Sequence, residues 1–547
     1  MTGCRPIAQI FCRYIEKPLP GHFQPGTGFI CSQAQQPWAS SSSKSLDFNL
    51  FPDQIVHVGR EIEQNDIAIV HPSISRQHFI IYSIEYEYGM QPLVYVRDSD
   101  SLGGTYVDIH STRHMKVPSS SGYLLSHSEI IRLFPCWEFH VYLLGAQLIN
   151  PLNMNYIQSS ETDLFRDRFL MTGTILGRGA FTDVHLAINL KTGQQVACKI
   201  HRIDQFRQSL WSTSIIRRIV DETNILSRLT HPNLLKFEAA FRSPDTLYTF
   251  TELATGGDLF SVRLRYPDGV PELDTKVIIR QIVEAVSYLH DQNVAHRDLK
   301  PENVFLATGP TIMTRVIVGD FGCAKVATSG RMASEVGTPR FMAPEVYRGQ
   351  SYGIEVDIWS IGMISLFLVA PDWNNFGCLE AFAQNIVDEI LIDIFDELSN
   401  QHKALSNNFE DFIKACLVTA PKKRMTAKFC KGHNWFRSSG PRLKHQMEEF
   451  TKGWEPATIV HNSVEDLDLF ESIETHNPLY TMDLDKRNAQ GDRKVIGDSQ
   501  QSYYFTKNNS TGHKQLIADR EILVFNVTTP SGDTQDIFSC SVIKRNS

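Results

Sequence analysis

The run His296-Arg297-Asp298-Leu299-Lys300-Pro301-Glu302-Asn303 puts a carboxylate, an ammonium and a carboxamide on one short stretch of chain. An Asp can accept the proton of a substrate hydroxyl, a Lys two positions on can hold a transferring phosphoryl group, and an Asn five positions on can coordinate magnesium. Together they form a set for phosphoryl transfer to a hydroxyl. A short motif alone is weak evidence. Its weight comes from what lies before and after it.

Upstream, Leu176-Gly177-Arg178-Gly179-Ala180-Phe181-Thr182-Asp183-Val184 sits between two strand-like runs, where Gly177 and Gly179 would let backbone amides approach phosphates. For this loop alone an ordinary hairpin turn is the better reading. Val196-Ala197-Cys198-Lys199 then reads as a strand ending in a lysine, which needs a charge partner if it is buried. Glu222 is the best match, while Asp221 would point about 100 degrees away on a helix. Thr251-Glu252-Leu253-Ala254 precedes Gly256-Gly257-Asp258-Leu259, a turn between two regions of different pattern. Downstream come Asp320-Phe321-Gly322, Ala343-Pro344-Glu345, Asp357-Ile358-Trp359-Ser360-Ile361-Gly362 and Arg424.

In this order the motifs resemble the protein kinase family, from the glycine loop at Leu176 to Arg424. The resemblance implies an α+β bilobal fold using ATP and Mg2+. Leu176, Gly177, Gly179 and Val184 would surround the nucleotide, the main chain at Glu252 and Ala254 would meet adenine, and Asp258 would meet the ribose. Lys199, paired with Glu222, would position the α/β-phosphates. Asn303 and Asp320 would hold the metal, Asp298 would be the base and Lys300 its companion. Asp357 would brace the catalytic loop, and Arg424 would pair with Glu345, a structural reading preferred over a nuclear-import signal in Pro421 to Arg424. Lys300 with Pro301-Glu302 resembles serine/threonine rather than tyrosine kinases. Arg297 would meet a phosphate on the activation segment, with Thr328, Ser329 and Ser334 as candidates. Glu302 and Asp258 would line the peptide groove and favour a basic residue upstream of the target hydroxyl.

The elements that must position these residues follow from pattern and composition. The chain has 547 residues, 42% hydrophobic and 21% charged, which suits two or three domains of ordinary composition. A net charge of -8 argues against bulk binding of nucleic acid. Ten cysteines without a CxxC pair suggest neither a disulfide framework nor a zinc site, and point to a reducing compartment. No apolar run reaches membrane-spanning length, so no membrane partner is expected. From Phe169 the chain alternates like strands, whereas after Leu273 residues Val277, Ile278, Ile282, Ala285 and Leu289 recur with helical spacing.

Before this lies a different pattern. Ile67-Ala68-Ile69-Val70, Phe79-Ile80-Ile81-Tyr82, Leu93-Val94-Tyr95-Val96 and Phe139-His140-Val141-Tyr142 are short β-rich runs separated by turn residues, the signature of a small all-β sandwich. Its loops carry Gly59-Arg60, Ser75-Arg76-Gln77-His78 and Gly103-Gly104-Thr105. Arg60, Ser75 and Arg76 can offer a guanidinium fork and a hydroxyl to a phosphate dianion. This spacing resembles the forkhead-associated (FHA) domain, which implies a reader of phosphothreonine peptides, with Gly59, His78 and Gly104 shaping the loops. Where that family usually has Asn-Gly-Thr, this chain has Gly103 in place of the Asn that grips the peptide backbone.

The expected organisation is therefore a flexible segment over 1–50 with a possible first strand at Ile7 to Tyr14, an FHA sandwich over 51–145, and a linker over 146–168. A kinase domain over 169–437 and a largely irregular, regulatory or disordered tail over 438–547 complete it, with Glu521 to Val527 as a strand or docking segment. An FHA domain joined to such a kinase resembles the checkpoint kinases of the calcium/calmodulin-dependent group. That resemblance implies a nuclear enzyme in DNA-damage, replication or meiotic control, recruited to phosphothreonine-bearing proteins and self-associating on activation. The competing class is a phosphopeptide-binding scaffold whose kinase domain is vestigial.

Overall fold

The computed structural model describes residues 5–14, 29–31, 45–86, 91–109, 113–144, 161–178, 182–203, 212–243, 245–322, 324–326, 339–371, 379, 383–400, 405–438, 440–456, 523–525 and 540–542. The first part is a sandwich of two six-stranded sheets. One runs β3 (Ser45–Leu50), β1 (Ala8–Tyr14), β12 (Trp137–Leu143), β11 (Ile130–Leu133), β8 (Tyr106–Ile109) and β9 (Arg113–Lys116). The other runs β10 (Tyr123–Leu124), β7 (Leu93–Asp98), β6 (Phe79–Ile84), β4 (Ile55–Gly59), β5 (Ile67–Ile69) and β2 (Phe29–Cys31). Alternation decides which side chains meet between them. Ala8, Ile10 and Cys12 lie beside Trp137, Phe139 and Val141 on the inner face of one sheet, in one buried core with Phe79 and Ile81 of the other.

The sandwich thus begins at β1, not near residue 51. Strand β1, at the place expected for a first strand, lies between β12 and β3, and β2 pairs with β5, so the segment expected to be flexible supplies three strands. The Pro, Gly and Ser residues separating them hid that pairing, although the alternation of β1 was readable.

The sheet of the second part begins at Phe169. A five-stranded antiparallel sheet runs β13 (Phe169–Arg178), β14 (Thr182–Asn189), β15 (Gln195–Arg202), β17 (Thr246–Glu252) and β16 (Phe237–Arg242), joined by the helix Ser212–Arg228. A helical lobe follows, centred on Glu272–Asp291 and on Val356–Val369, which is buried all round. All five periodic residues from Val277 to Leu289 lie in its core.

Two boundaries shift. Residues 161–168, expected as linker, are packed: Phe165 enters the aromatic core of the β-rich lobe beside Phe169, Tyr248 and Phe250, and Tyr248 donates its hydroxyl to Glu161 at 2.7 Å. The start of the expected tail is also ordered, because helix Gly440–Thr451 buries Leu443 and lays Met447 and Phe450 against the large-lobe core. Further on, Leu523–Phe525 pairs antiparallel with Cys540–Val542, which makes the first of these a strand.

Candidate active site and phosphate-reading loops

Strand β15 carries Lys199 into the cleft between the lobes, and the helix Ser212–Arg228 carries Glu222 to it. Their side chains meet at 2.6 Å, and Lys199 also reaches Asp320 at 3.2 Å. Burial disfavours the charge on Lys199, but Asp320 and Glu222 more than offset it, so the ammonium is held above its ordinary range. Lys199 in turn holds Asp320 ionised, down to about 2. Burial pushes Glu222 up. Asp320 adopts a left-handed backbone (φ 57°), which non-glycine residues rarely adopt.

The opposite wall is the catalytic loop. Lys300 Nζ lies 2.9 Å from Asp298, and Asn303 donates to the Asp298 carbonyl at 2.7 Å and to its carboxylate at 3.1 Å. Asp298 is therefore held by two neighbours from its own loop. Asp357 braces the loop from below, accepting from the backbone of His296 and Arg297, both at 2.9 Å, and contacting His290. Its burial would raise its pKa, yet these contacts, led by His290, hold it below the ordinary value. The His296 ring contacts the Gly319 carbonyl at 3.0 Å and packs on Phe321. Arg424 forms a buried bidentate pair with Glu345 at 2.8 and 2.9 Å and stacks over Trp359, so this arginine is part of the fold, while Lys422 and Lys423 are exposed.

The hinge is fixed from both sides. The carboxylate of Glu252 is taken by Arg315 and by the Lys236 amide at 2.8 Å, and its own amide donates to the Lys236 carbonyl at 3.0 Å. Gly256 donates to Leu306 at 2.9 Å, and Gly257 accepts from the same residue at 2.8 Å. Asp258 caps the helix Leu259–Leu264 through the Ser261 amide, and burial pushes its carboxyl up to about 6. Asn303, its amide nitrogen committed to Asp298, and Asp320 offer one carboxamide oxygen and one carboxylate to the cleft. That is a fitting set for Mg2+, which takes few protein ligands and completes its shell with water and phosphate oxygens. Gly179, Thr328, Ser329 and Ser334 lie outside the described residues, as does the glycine-loop tip. Gly177 and Val184 pair across β13 and β14, with Leu176 just before them. Arg297, with a left-handed φ of 73°, places its guanidinium over Tyr352.

The sandwich loops bring together Arg60, Ser75 and Arg76. Arg60 donates its amide to the Ser75 carbonyl at 2.8 Å. The Ser75 hydroxyl accepts from the Leu102 amide at 3.0 Å. His78 accepts from the Ser75 amide at 3.1 Å and contacts the Gly104 carbonyl at 3.3 Å; burial lowers its pKa, so the neutral ring is a loop brace. A Cβ on Gly59 would stand 2.3 Å from the Arg76 carbonyl, so only glycine fits there. Asn65, missed in the sequence, ties the same loops through Glu61 and Arg76 carbonyls at 2.6 and 2.7 Å.

Comparison with known proteins agrees with this geometry. Residues 170–436 match the protein kinase domain and residues 56–133 the FHA domain. The chain is 34% identical over 418 residues to the meiosis-specific serine/threonine-protein kinase mek1 of Schizosaccharomyces pombe, covering 74% of this chain and 86% of that protein. It is 29% identical to the meiosis-specific serine/threonine-protein kinase MEK1 of Saccharomyces cerevisiae, over 70% and 80% of the two chains. To the calcium/calmodulin-dependent protein kinase type 1 of Macrobrachium nipponense it is 36% identical, over 49% and 75%. This chain belongs to the family of serine/threonine protein kinases that join an FHA domain to a protein kinase domain.

Proposed function

We propose that the chain transfers the γ-phosphate of ATP to Ser or Thr of protein targets, and that its FHA domain recruits it to phosphothreonine-bearing partners in a nuclear, meiotic checkpoint setting. The observation that carries the reaction is the pairing of two walls across one cleft: Lys199 with Glu222 and Asp320, and Asp298 with Lys300 and Asn303. Asp298 would orient the target hydroxyl and accept its proton, Lys300 would hold the transferring group, and Lys199 would fix the α/β-phosphates. Mg2+ held by Asn303 and Asp320 would neutralise phosphate charge. The names of the two meiosis-specific relatives support the setting.

Glu302 supports the preference for a basic residue upstream of the target. Its Oε2 is buried without a hydrogen-bond partner among the described residues, and burial raises its pKa, so an approaching guanidinium would satisfy it. Arg297, immediately before the base, would receive a phosphate on the activation segment. Self-association would supply that phosphate in trans.

The test is turnover of ATP and a serine peptide by the purified full chain. Asp298→Asn should lower kcat about 10²–10⁴-fold, the range for loss of a positioned acid–base group. Near-normal turnover by that variant would overturn the role of Asp298 as base, and no turnover by the parent chain while it still binds phosphopeptide would favour the scaffold reading.

A further inference from the structure

The sandwich and the kinase share a face away from the loops that carry Arg60, Ser75 and Arg76. Ile80, Tyr82, Ile84, Tyr95 and Leu124 of the sandwich form one buried cluster with Leu186 of β14, and Tyr86, Leu93, Leu176 and Leu253 pack against it. Leu176 and Leu253 belong to the nucleotide cleft, one entering the glycine loop and the other in the hinge. The polar contacts converge on the next hinge position but one. Tyr82 donates its hydroxyl to the Thr255 carbonyl at 3.0 Å, and the Gly122 amide donates to the Thr255 hydroxyl at 2.8 Å. That hydroxyl passes its own hydrogen to Ala307 at 3.1 Å. Beside it, Leu124 and Gln195 exchange two hydrogen bonds, at 2.7 and 2.9 Å.

The fit is close enough to be specific. A Cβ on Gly122 would lie 2.2 Å from the Tyr82 hydroxyl, and one on Gly309 2.7 Å from its ring. Tyr82 stacks on Tyr95 with centroids 5.3 Å apart, and the hydroxyls of Tyr95 and Tyr86 meet at 3.2 Å. A Gly-Gly hinge has much conformational freedom of its own. Here its outer side is clamped, and Gly257 is held at φ 85°.

We propose that this tyrosine face of the FHA domain is the outer wall of the nucleotide pocket, with Tyr82 and Tyr86 as positioning residues for ATP. The face selects the hinge conformation that receives adenine and ribose. A pocket whose competent state is only partly populated binds more weakly in proportion to that fraction. Loosening the clamp should therefore appear in nucleotide affinity and not in the chemical step.

The inference rests on ATP binding in this cleft, and the experiment separates the two. In the full chain, Tyr82→Phe removes only the hydroxyl to Thr255, and Tyr86→Ala removes the ring packed against the shared cluster and its hydroxyl contact with Tyr95. Each should raise KM for ATP about three- to tenfold, the scale of one net hydrogen bond or packing contact. With saturating ATP, kcat should stay within about twofold, and phosphothreonine-peptide affinity should be unchanged. Folded variants with unchanged KM would overturn the proposal, as would equal loss of kcat, KM and peptide affinity, which signals general damage. A parent chain that turns over no ATP would instead sink the underlying reading.

Discussion

Both the sandwich loops and the interlobe cleft present cations to phosphate, but they hold them differently. Arg60 and Arg76 are exposed, and their backbones, not their guanidinium groups, are the parts tied down. In the cleft Lys199 is locked between two carboxylates and Lys300 against a third. A reader needs only net attraction to a dianion, which exposed Arg forks supply with geometric selectivity. A transferase must have its charges oriented before the reaction, because reorganising them during the step would raise the barrier. The cleft therefore keeps charges together in a partly desolvated network, and the loops leave theirs free to close on a ligand.

The largest expected effect tests the network. Lys199→Met should lower kcat/KM about 10²–10³-fold, as loss of a preorganised electrostatic contact does. It also leaves Glu222 buried without its cation, so the melting temperature should fall as well. Initial rates within tenfold of the parent would mean the network is not needed. On the other side, Arg60→Ala should weaken phosphothreonine-peptide binding about 10–100-fold, the scale of charged hydrogen bonds at 1.5–3 kcal/mol. Fluorescence polarisation would measure it, while turnover of a short unphosphorylated peptide should hold. A parallel fall in turnover would break the separation of the two sites.

The contrast also explains what the sequence made legible. Catalysis fixes residue types at fixed spacings, so Lys199, Glu222, Asp298, Asn303 and Asp320 could be named in advance and the fold brings them together. Packing is less exacting. Phe165 stood among polar residues too few to show a period, yet it fills the β-lobe core. Leu443, Met447 and Phe450 did carry a helical spacing that could have extended the domain past residue 437. The shared face left a plainer trace. Strand Phe79–Ile84 is buried at every position, so it needed cover on both faces, which a lone sandwich with one solvated side does not provide.

Proton uptake gives a smaller effect that again separates the sites. Asp258 has its pKa raised to about 6 by burial, so the fold favours its protonated form. Its contribution to stability is therefore present below the ordinary carboxylate range and is lost as pH rises through about 6. Ribose hydroxyls need the ionised acceptor, so KM for ATP should rise as pH falls below that value, about tenfold by one unit lower. Asp258→Asn should flatten this limb. Phosphopeptide binding should also weaken near pH 6, because the ligand's own second ionisation lies there, and Asp258→Asn should leave that slope intact. A KM profile equally steep in the variant would assign the titration to the nucleotide.

The smallest effect concerns the loop where Gly103 replaces the Asn usual in FHA domains. A Cβ at Gly103 would meet the Ser73 carbonyl at 3.6 Å and His78 at 3.8 Å, which are ordinary contacts. The left-handed position is the next residue, Gly104 at φ 73°. The loop is already shaped by the Leu102 amide on Ser75 and by His78 on Gly104, so an Asn side chain can enter without strain. Its carboxamide would add hydrogen bonds to the peptide backbone, worth ~1 kcal/mol net, and tighten phosphothreonine-peptide binding about three- to tenfold. Gly103→Asn should also raise stability slightly by restricting the unfolded chain. Unchanged affinity in a folded variant would show that the peptide does not cross this loop, leaving Arg60, Ser75 and Arg76 as the whole of the grip.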